Sequence, residues 1–228
     1  MKVIFLPSII HALVFDIDQT LYRNDEYTKR QTMLVVAEQA RKEGKTFQEA
    51  QIQIENIRRV HKERFGYFLP LGRVLEQLGT SLEESAGWYE HLFDPENYLK
   101  RDGLLVETIE KLASTFKIAA VTNNSMAIGL RILQSLGIRE FFMSVAGIER
   151  AGECKPSMAL FEIVAKDIGS DFHYMVSIGD NDIDVYPPVR NGMGGILVES
   201  MQDIYALPSL LNTTYPHDKN DSGSNENH

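Results

Sequence analysis

Apolar and polar positions change rhythm twice along the chain. Leu13-Val14-Phe15 is a short apolar run ending in Asp16 and Asp18, and it reads as a hydrophobic strand. After Thr20 the spacing becomes helical. Met33, Leu34, Val36, Ala37 and Ala40 recur on one face of a helix over residues 28–43, and Gly44 closes it. Further helices are predicted from about Phe47 to Phe65, near Gly72 to Leu78, and from Ser81, where Glu84 three residues on suggests a capping box. Asp94-Pro95 breaks this block.

Beyond the break the pattern alternates. Helices are predicted over 106–116, 127–136, 158–168 and 182–190, and apolar strands over 118–122, 142–145, 175–178 and 196–198. Strands alternating with helices predict an α/β fold, a parallel sheet with helices on both faces. Residues 1–22 and 95–211 form this core, and the helical block 23–94 is an insertion between its first and second strands. Residues 1–10 read as an extra strand or a lead-in to the first core strand. The Asn/Ser/Asp-rich tail, 212–228, is expected to be disordered.

Composition adds limits. The chain has 228 residues, 43% hydrophobic and 24% charged, enough for one sizeable domain with an insertion. Its net charge of −9 argues against a nucleic-acid polymer or an anionic membrane as partner, but not against a small anionic substrate. No apolar run is long enough to span a membrane. The single cysteine, Cys154, allows no internal disulfide, and a reducing, cytoplasmic setting is expected. Nothing in the pattern specifies an oligomeric state.

In parallel sheets, ligands gather at the carboxyl ends of the strands. There the sequence puts Asp16 and Asp18, then Thr122-Asn123-Asn124, then Gly179-Asp180-Asn181-Asp182-Ile183-Asp184, with Lys155-Pro156 on the same edge. Asp16 and Asp180 are hard oxygen donors that suit Mg²⁺, and no His/Cys cluster suggests zinc instead. The Thr122 hydroxyl and the Asn123 backbone N–H suit an anion's oxygens. Lys155 adds positive charge, and Pro156 is expected to start the next helix, which favours anions there. Asp180 and Asp184 share one face if that segment is helical; Asp184 would then orient Lys155 or hold a metal-bound water. Together these groups describe phosphoryl transfer.

Asp16-x-Asp18-x-Thr20, Thr122-Asn123, Lys155-Pro156 and Gly179-Asp180-x-x-x-Asp184, in this order, resemble the four motifs of the haloacid dehalogenase-like hydrolase superfamily, over about residues 11–200. The resemblance implies a Rossmann-like core, and the inserted helices are similar to the superfamily's C1 cap, a helical bundle. It implies that Asp16 attacks phosphorus to form an aspartyl-phosphate and that Asp18 protonates the leaving group and then activates water. Thr122, Asn123 and Lys155 would hold the phosphoryl group. Asp16, the backbone carbonyl of Asp18, and Asp180 would bind Mg²⁺, with Asp184 assisting. Two departures stand out: Gln19 occupies a place where Gly or Asn is commoner, and Asn181-Asp182 make the fourth motif unusually polar.

An alkyl halide leaves without a proton whereas an alkoxide needs one, so Asp18 favours a phosphatase over a dehalogenase. The expected activity is hydrolysis of a small phosphorylated metabolite. A phosphomutase, a dehalogenase or a non-catalytic binding protein on the same fold are the alternatives. The segments 15–22 and 94–99 look most like the pyrimidine 5′-nucleotidase-like branch, which brings in a nucleoside monophosphate as a candidate; phosphoglycolate phosphatase-like members share much of this pattern. In the cap, His61 and Arg64 fall on the apolar side of their helix with Ile54, Ile57, Val60 and Phe65. They either pair within the cap or face an anionic substrate across the site.

Overall fold

The computed structural model describes residues 1–214. A first strand, β1 (Lys2–Phe5), leads into β2 (Ala12–Asp16), every residue of which is buried. Helices α1 (Asp25–Glu43), α2 (Phe47–Phe65), α3 (Leu71–Gln77), α4 (Leu82–Leu92), α5 (Pro95–Tyr98) and α6 (Gly103–Ala113) separate it from β3 (Lys117–Val121). Then come α7 (Met126–Leu136), β4 (Ser144–Ala146), α8 (Ile148–Ala151), α9 (Ala159–Ile168), β5 (Met175–Gly179), α10 (Asp182–Arg190), β6 (Gly194–Leu197) and α11 (Met201–Thr214).

Among the described residues one six-stranded sheet forms, in the order β1-β6-β5-β2-β3-β4. From β2 to β6 all pairings are parallel; β1 pairs antiparallel with β6 at the edge. The expected parallel sheet is thus mostly parallel, and the N-terminal segment is its extra strand. β2 lies between β3 and β5 and is covered on both faces, which is why its sequence is a continuous apolar run and not an alternation. Its pleat still sorts side chains. Leu13 and Phe15 join one core with Ile109, Ile128 and Leu207, while Ala12 and Val14 join another with Leu160, Phe161 and Val164 of α9.

The helical insertion starts where Asn24 caps α1, its side chain accepting from the Tyr27 N–H, and α1 stops at Gly44, whose φ of 66° satisfies the last carbonyls. α2 carries a complete capping box, Thr46 with Glu49. The box expected at Ser81 is only half formed. Ser81 accepts from the Glu84 N–H, but the Glu84 carboxylate turns to Lys42 on α1 at 2.6 Å. The expected apolar stripe of α2 also changes: Ile54 is buried, whereas Val60 and Phe65 are exposed. At the other end of the chain, α11 occupies residues 201–214, so 212–214 of the expected tail are helical; the remainder, 215–228, lies outside the described residues. No helix among the described residues is long and apolar enough to cross a membrane.

Candidate active site

The chain places β3 and β4 to one side of β2, then returns to place β5 and β6 on the other. The strand order therefore reverses between β2 and β5, and loops leaving the two strands splay apart to leave a crevice. Asp16 ends β2, and Asp180 follows β5 directly.

Lys155 lies at the centre, 2% exposed, its ammonium in contact with Asp16 and 2.6 Å from Asp184 Oδ1. Burial pulls its pKa down, but the carboxylates of Asp16 and Asp184 more than offset this, and the net shift is upward. Asp184 is held from behind, its Oδ2 accepting the Asn181 N–H at 3.1 Å as a helix cap. Its carboxyl is raised by burial and by Asp16, although Lys155 pulls the other way. Asp180 is raised by burial and by Asp16. The Thr20 hydroxyl spans the two strand ends, at 2.8 Å from Asp16 Oδ2 and 3.3 Å from Asp180 Oδ1.

Oxygen atoms of Asp16, Asp180 and Asp184 lie within 4.8 Å of one another. Three acidic side chains gather around one lysine, so formal negative charge exceeds positive there. An all-oxygen set of this kind could hold a hard divalent cation. Gly179 makes the packing possible: a Cβ there would overlap that of Asp184.

Asp18 faces a different set of partners. The Tyr22 hydroxyl donates to its Oδ1 at 2.7 Å; the Thr122 hydroxyl and the Asn124 amide donate to its Oδ2 at 3.1 and 2.8 Å. Burial pushes the Asp18 carboxyl up, the Asp16 charge adds to the rise, and the three donors offset it only in part. The turn that separates the two aspartates passes through Gln19 at φ 61°. That left-handed conformation costs a non-glycine residue about 1 kcal/mol, which gives a physical reason for Gly or Asn being commoner at this place. The Gln19 side chain reaches α1 instead, donating to the Thr28 hydroxyl at 2.7 Å.

The sequence-predicted residues of the core come together, with some corrections. Asn123 Oδ1 accepts the Lys155 backbone N–H at 2.7 Å, so its side chain also ties the lysine loop, in addition to the anion-binding role expected of its backbone N–H. Residues 155–158 form a turn and α9 begins at Ala159, so Lys155 is not at a helix N-terminus as Pro156 had suggested. Asp180 precedes α10 and shares no helical face with Asp184; the loop, not a helix period, brings them together. Thr20 and Asn124 are part of the sequence motifs but carry no assigned role there, and Tyr22 escapes the sequence reading as a site residue. Their positions two or four after an aspartate, or one after Asn123, are the signal that was available.

His61 and Arg64 are not brought to the carboxylates. The His61 ring packs on Phe65 and Tyr67 and meets the Tyr67 carbonyl at 3.0 Å, and Arg64 is exposed over the Phe65 ring. Both line a groove of about 360 Å³ on the insertion. Of the two expectations for this pair, the His61 contacts fit packing within the cap, and whether Arg64 meets a substrate is a matter for the KM of Arg64→Ala. Asp18, Asn123 and Asn124 instead line a smaller cavity of about 220 Å³ whose other walls come from α1 and from residues 70–93. Wider grooves of about 500 and 480 Å³ contain none of the residues clustered around Lys155, so size does not mark the site.

Comparison with known proteins bears on the fold and the family. No curated protein gives a significant match. Among solved structures, a HAD phosphatase from Thermococcus onnurineus superposes with a TM-score of 0.57 at 20% identity, covering 89% of this chain and 98% of that one. A 2-haloacid dehalogenase from Pseudomonas syringae pv. Tomato DC3000 gives 0.56 at 23% identity, covering 90% and 99%. A beta-phosphoglucomutase from Clostridium difficile gives 0.52 at 16% identity, covering 89% and 100%. At these identities the likeness shows the fold, which three chemistries share. The sequence itself matches the family model of haloacid dehalogenase-like hydrolases over residues 10–186, more than half its length, and the chain belongs to that family.

Proposed function

We propose that the chain is a Mg²⁺-dependent phosphomonoesterase that works through an aspartyl-phosphate on Asp16. One observation carries the reading: Asp18, two residues from the nucleophile, is a partly shielded carboxyl with a raised pKa, fixed by three donors. A carboxyl of this kind can keep a proton for a leaving alkoxide. A halide leaving group would give it nothing to do.

In the first step an Asp16 oxygen forms a bond to phosphorus, the ester P–O bond breaks, and Asp18 transfers its proton to the departing oxygen. In the second step Asp18 takes a proton from water as the water attacks the aspartyl-phosphate. The bond from phosphorus to Asp16 breaks, and inorganic phosphate leaves. Lys155 and Thr122 are the groups assigned to the phosphoryl oxygens, and Asn123 holds the lysine loop in register. Asp16, Asp180 and Asp184, with the Asp18 backbone carbonyl, would hold the cation, which supplies positive charge to those same oxygens.

Phosphate release from p-nitrophenyl phosphate with Mg²⁺ present is the test. It should be abolished by EDTA, and Asp16→Asn should lower kcat by ~10⁴-fold or more. Full turnover by Asp16→Asn would overturn the mechanism. A phosphomutase on this site would return the phosphoryl group to a sugar and release no phosphate.

A further inference from the structure

The Asp18 side chain is held at both oxygens, and the two are held unequally. A carboxylate offers about four lone-pair sites, two on each oxygen. On Oδ2 both are taken, by the Thr122 hydroxyl at 3.1 Å and the Asn124 amide at 2.8 Å. On Oδ1, among the described residues, the one donor is the Tyr22 hydroxyl at 2.7 Å. The vacant site is therefore on Oδ1, and a proton bound for a leaving oxygen has its place there.

The tyrosine is itself fixed. It follows Asp18 by four residues, across a turn in which the Leu21 N–H donates to the Ile17 carbonyl at 3.0 Å. Only 4% of it is exposed, so water does not compete for its hydroxyl. Its ring lies 6.2 Å from that of Tyr27 on α1, which in turn stacks on Tyr98 at 5.2 Å. Without the hydroxyl, Asp18 keeps its Oδ2 contacts alone and can swing about them. A general acid works only within hydrogen-bond reach of the atom it protonates, and a small misplacement is costly.

Resting on the phosphatase reading above, we propose that Tyr22 is a positioning residue for the leaving-group step. Its hydroxyl holds Asp18 Oδ1, the oxygen that hands the proton to the departing alkoxide and, in the second step, takes one from water. The hydroxyl bonds to Asp18 and not to Asp16 or Lys155, so its loss leaves the nucleophile and the phosphoryl contacts in place.

Phenyl phosphate and p-nitrophenyl phosphate test this. They share one ring, but phenolate is a poor leaving group that needs the proton, whereas p-nitrophenolate departs with little help. Tyr22→Phe should lower kcat/KM for phenyl phosphate by ~10-fold, the size of one lost hydrogen bond, and that for p-nitrophenyl phosphate by less than ~3-fold. Tyr22→Met, which lacks the hydroxyl on a more adaptable side chain, should move the ratio the same way. A merely structural role would lower both rates together through the folded fraction and leave their ratio, taken on one preparation, unchanged. An unchanged ratio in both variants would overturn the inference while leaving the phosphatase standing. No phosphate from either compound with the wild type would overturn both.

Discussion

At the sheet edge, Asp16, Asp18, Thr20, Thr122, Lys155 and Asp184 hold one another through hydrogen bonds and ion pairs. Across the cavity, α1 leaves the buried Gln31 Nε2 unpaired, and α2 and the loop after it expose Val60, Phe65 and Phe68 to solvent. The first region is tied together by its own hydrogen bonds and ion pairs and leaves an excess of carboxylates for a cation. The second leaves a polar group without a partner. Chemistry common to a family needs fixed charges.

The sharpest way to break the comparison is Lys155→Met. If Lys155 is what holds the carboxylates of the edge together, removing it leaves Asp16 and Asp184 buried against each other, at a cost of about 3–5 kcal/mol in urea unfolding without metal. Mg²⁺ should restore part of it. A loss below ~1 kcal/mol would mean that the cluster is neutralised another way. Gly179→Ala should cost about 1–3 kcal/mol, because the new methyl displaces Asp184; Mg²⁺ affinity, read by calorimetry, should fall with it. The smallest effect is expected at Arg64→Ala. Exposed and away from the carboxylates, this change should move stability by less than ~0.5 kcal/mol and leave KM unchanged. A raised KM would return Arg64 to the substrate.

The two regions also differ in how far the sequence reveals them. The strands of the core follow from apolar runs, and their carboxyl ends carry the acids, so Asp16, Asp18, Asp180 and Lys155 could be found from pattern and topology alone. What pattern missed depended on loops. Asp180 and Asp184 meet because the loop after β5 bends before α10 begins, not because of a helix period. Lys155 sits in a turn that Pro156 does not announce as one. In the cap, helix existence and ends are legible from Gly44 and Ser81. Which face turns inward is not, because Val60 and Phe65 have the spacing of a buried stripe and yet face outward. Gln31 gave no signal at all: a glutamine in a helix is ordinary until its neighbours are known. α11, with Pro208 inside it, lacked the punctuation of a helix.

The reversal of strand order has a consequence in time. β2 needs both β3 and β5 beside it, and Thr20 reaches Asp180 across 160 positions of chain. During synthesis the acidic end of β2 emerges long before its second neighbour. At ~5–20 residues per second that interval is on the order of 10–30 s. Over that interval the strand is paired on one edge at most, and its acids lack both Lys155 and Asp180. The helices translated in between can pack locally first, as short-range contacts close fastest. The acidic cluster is therefore completed late, when β5 slots in beside β2.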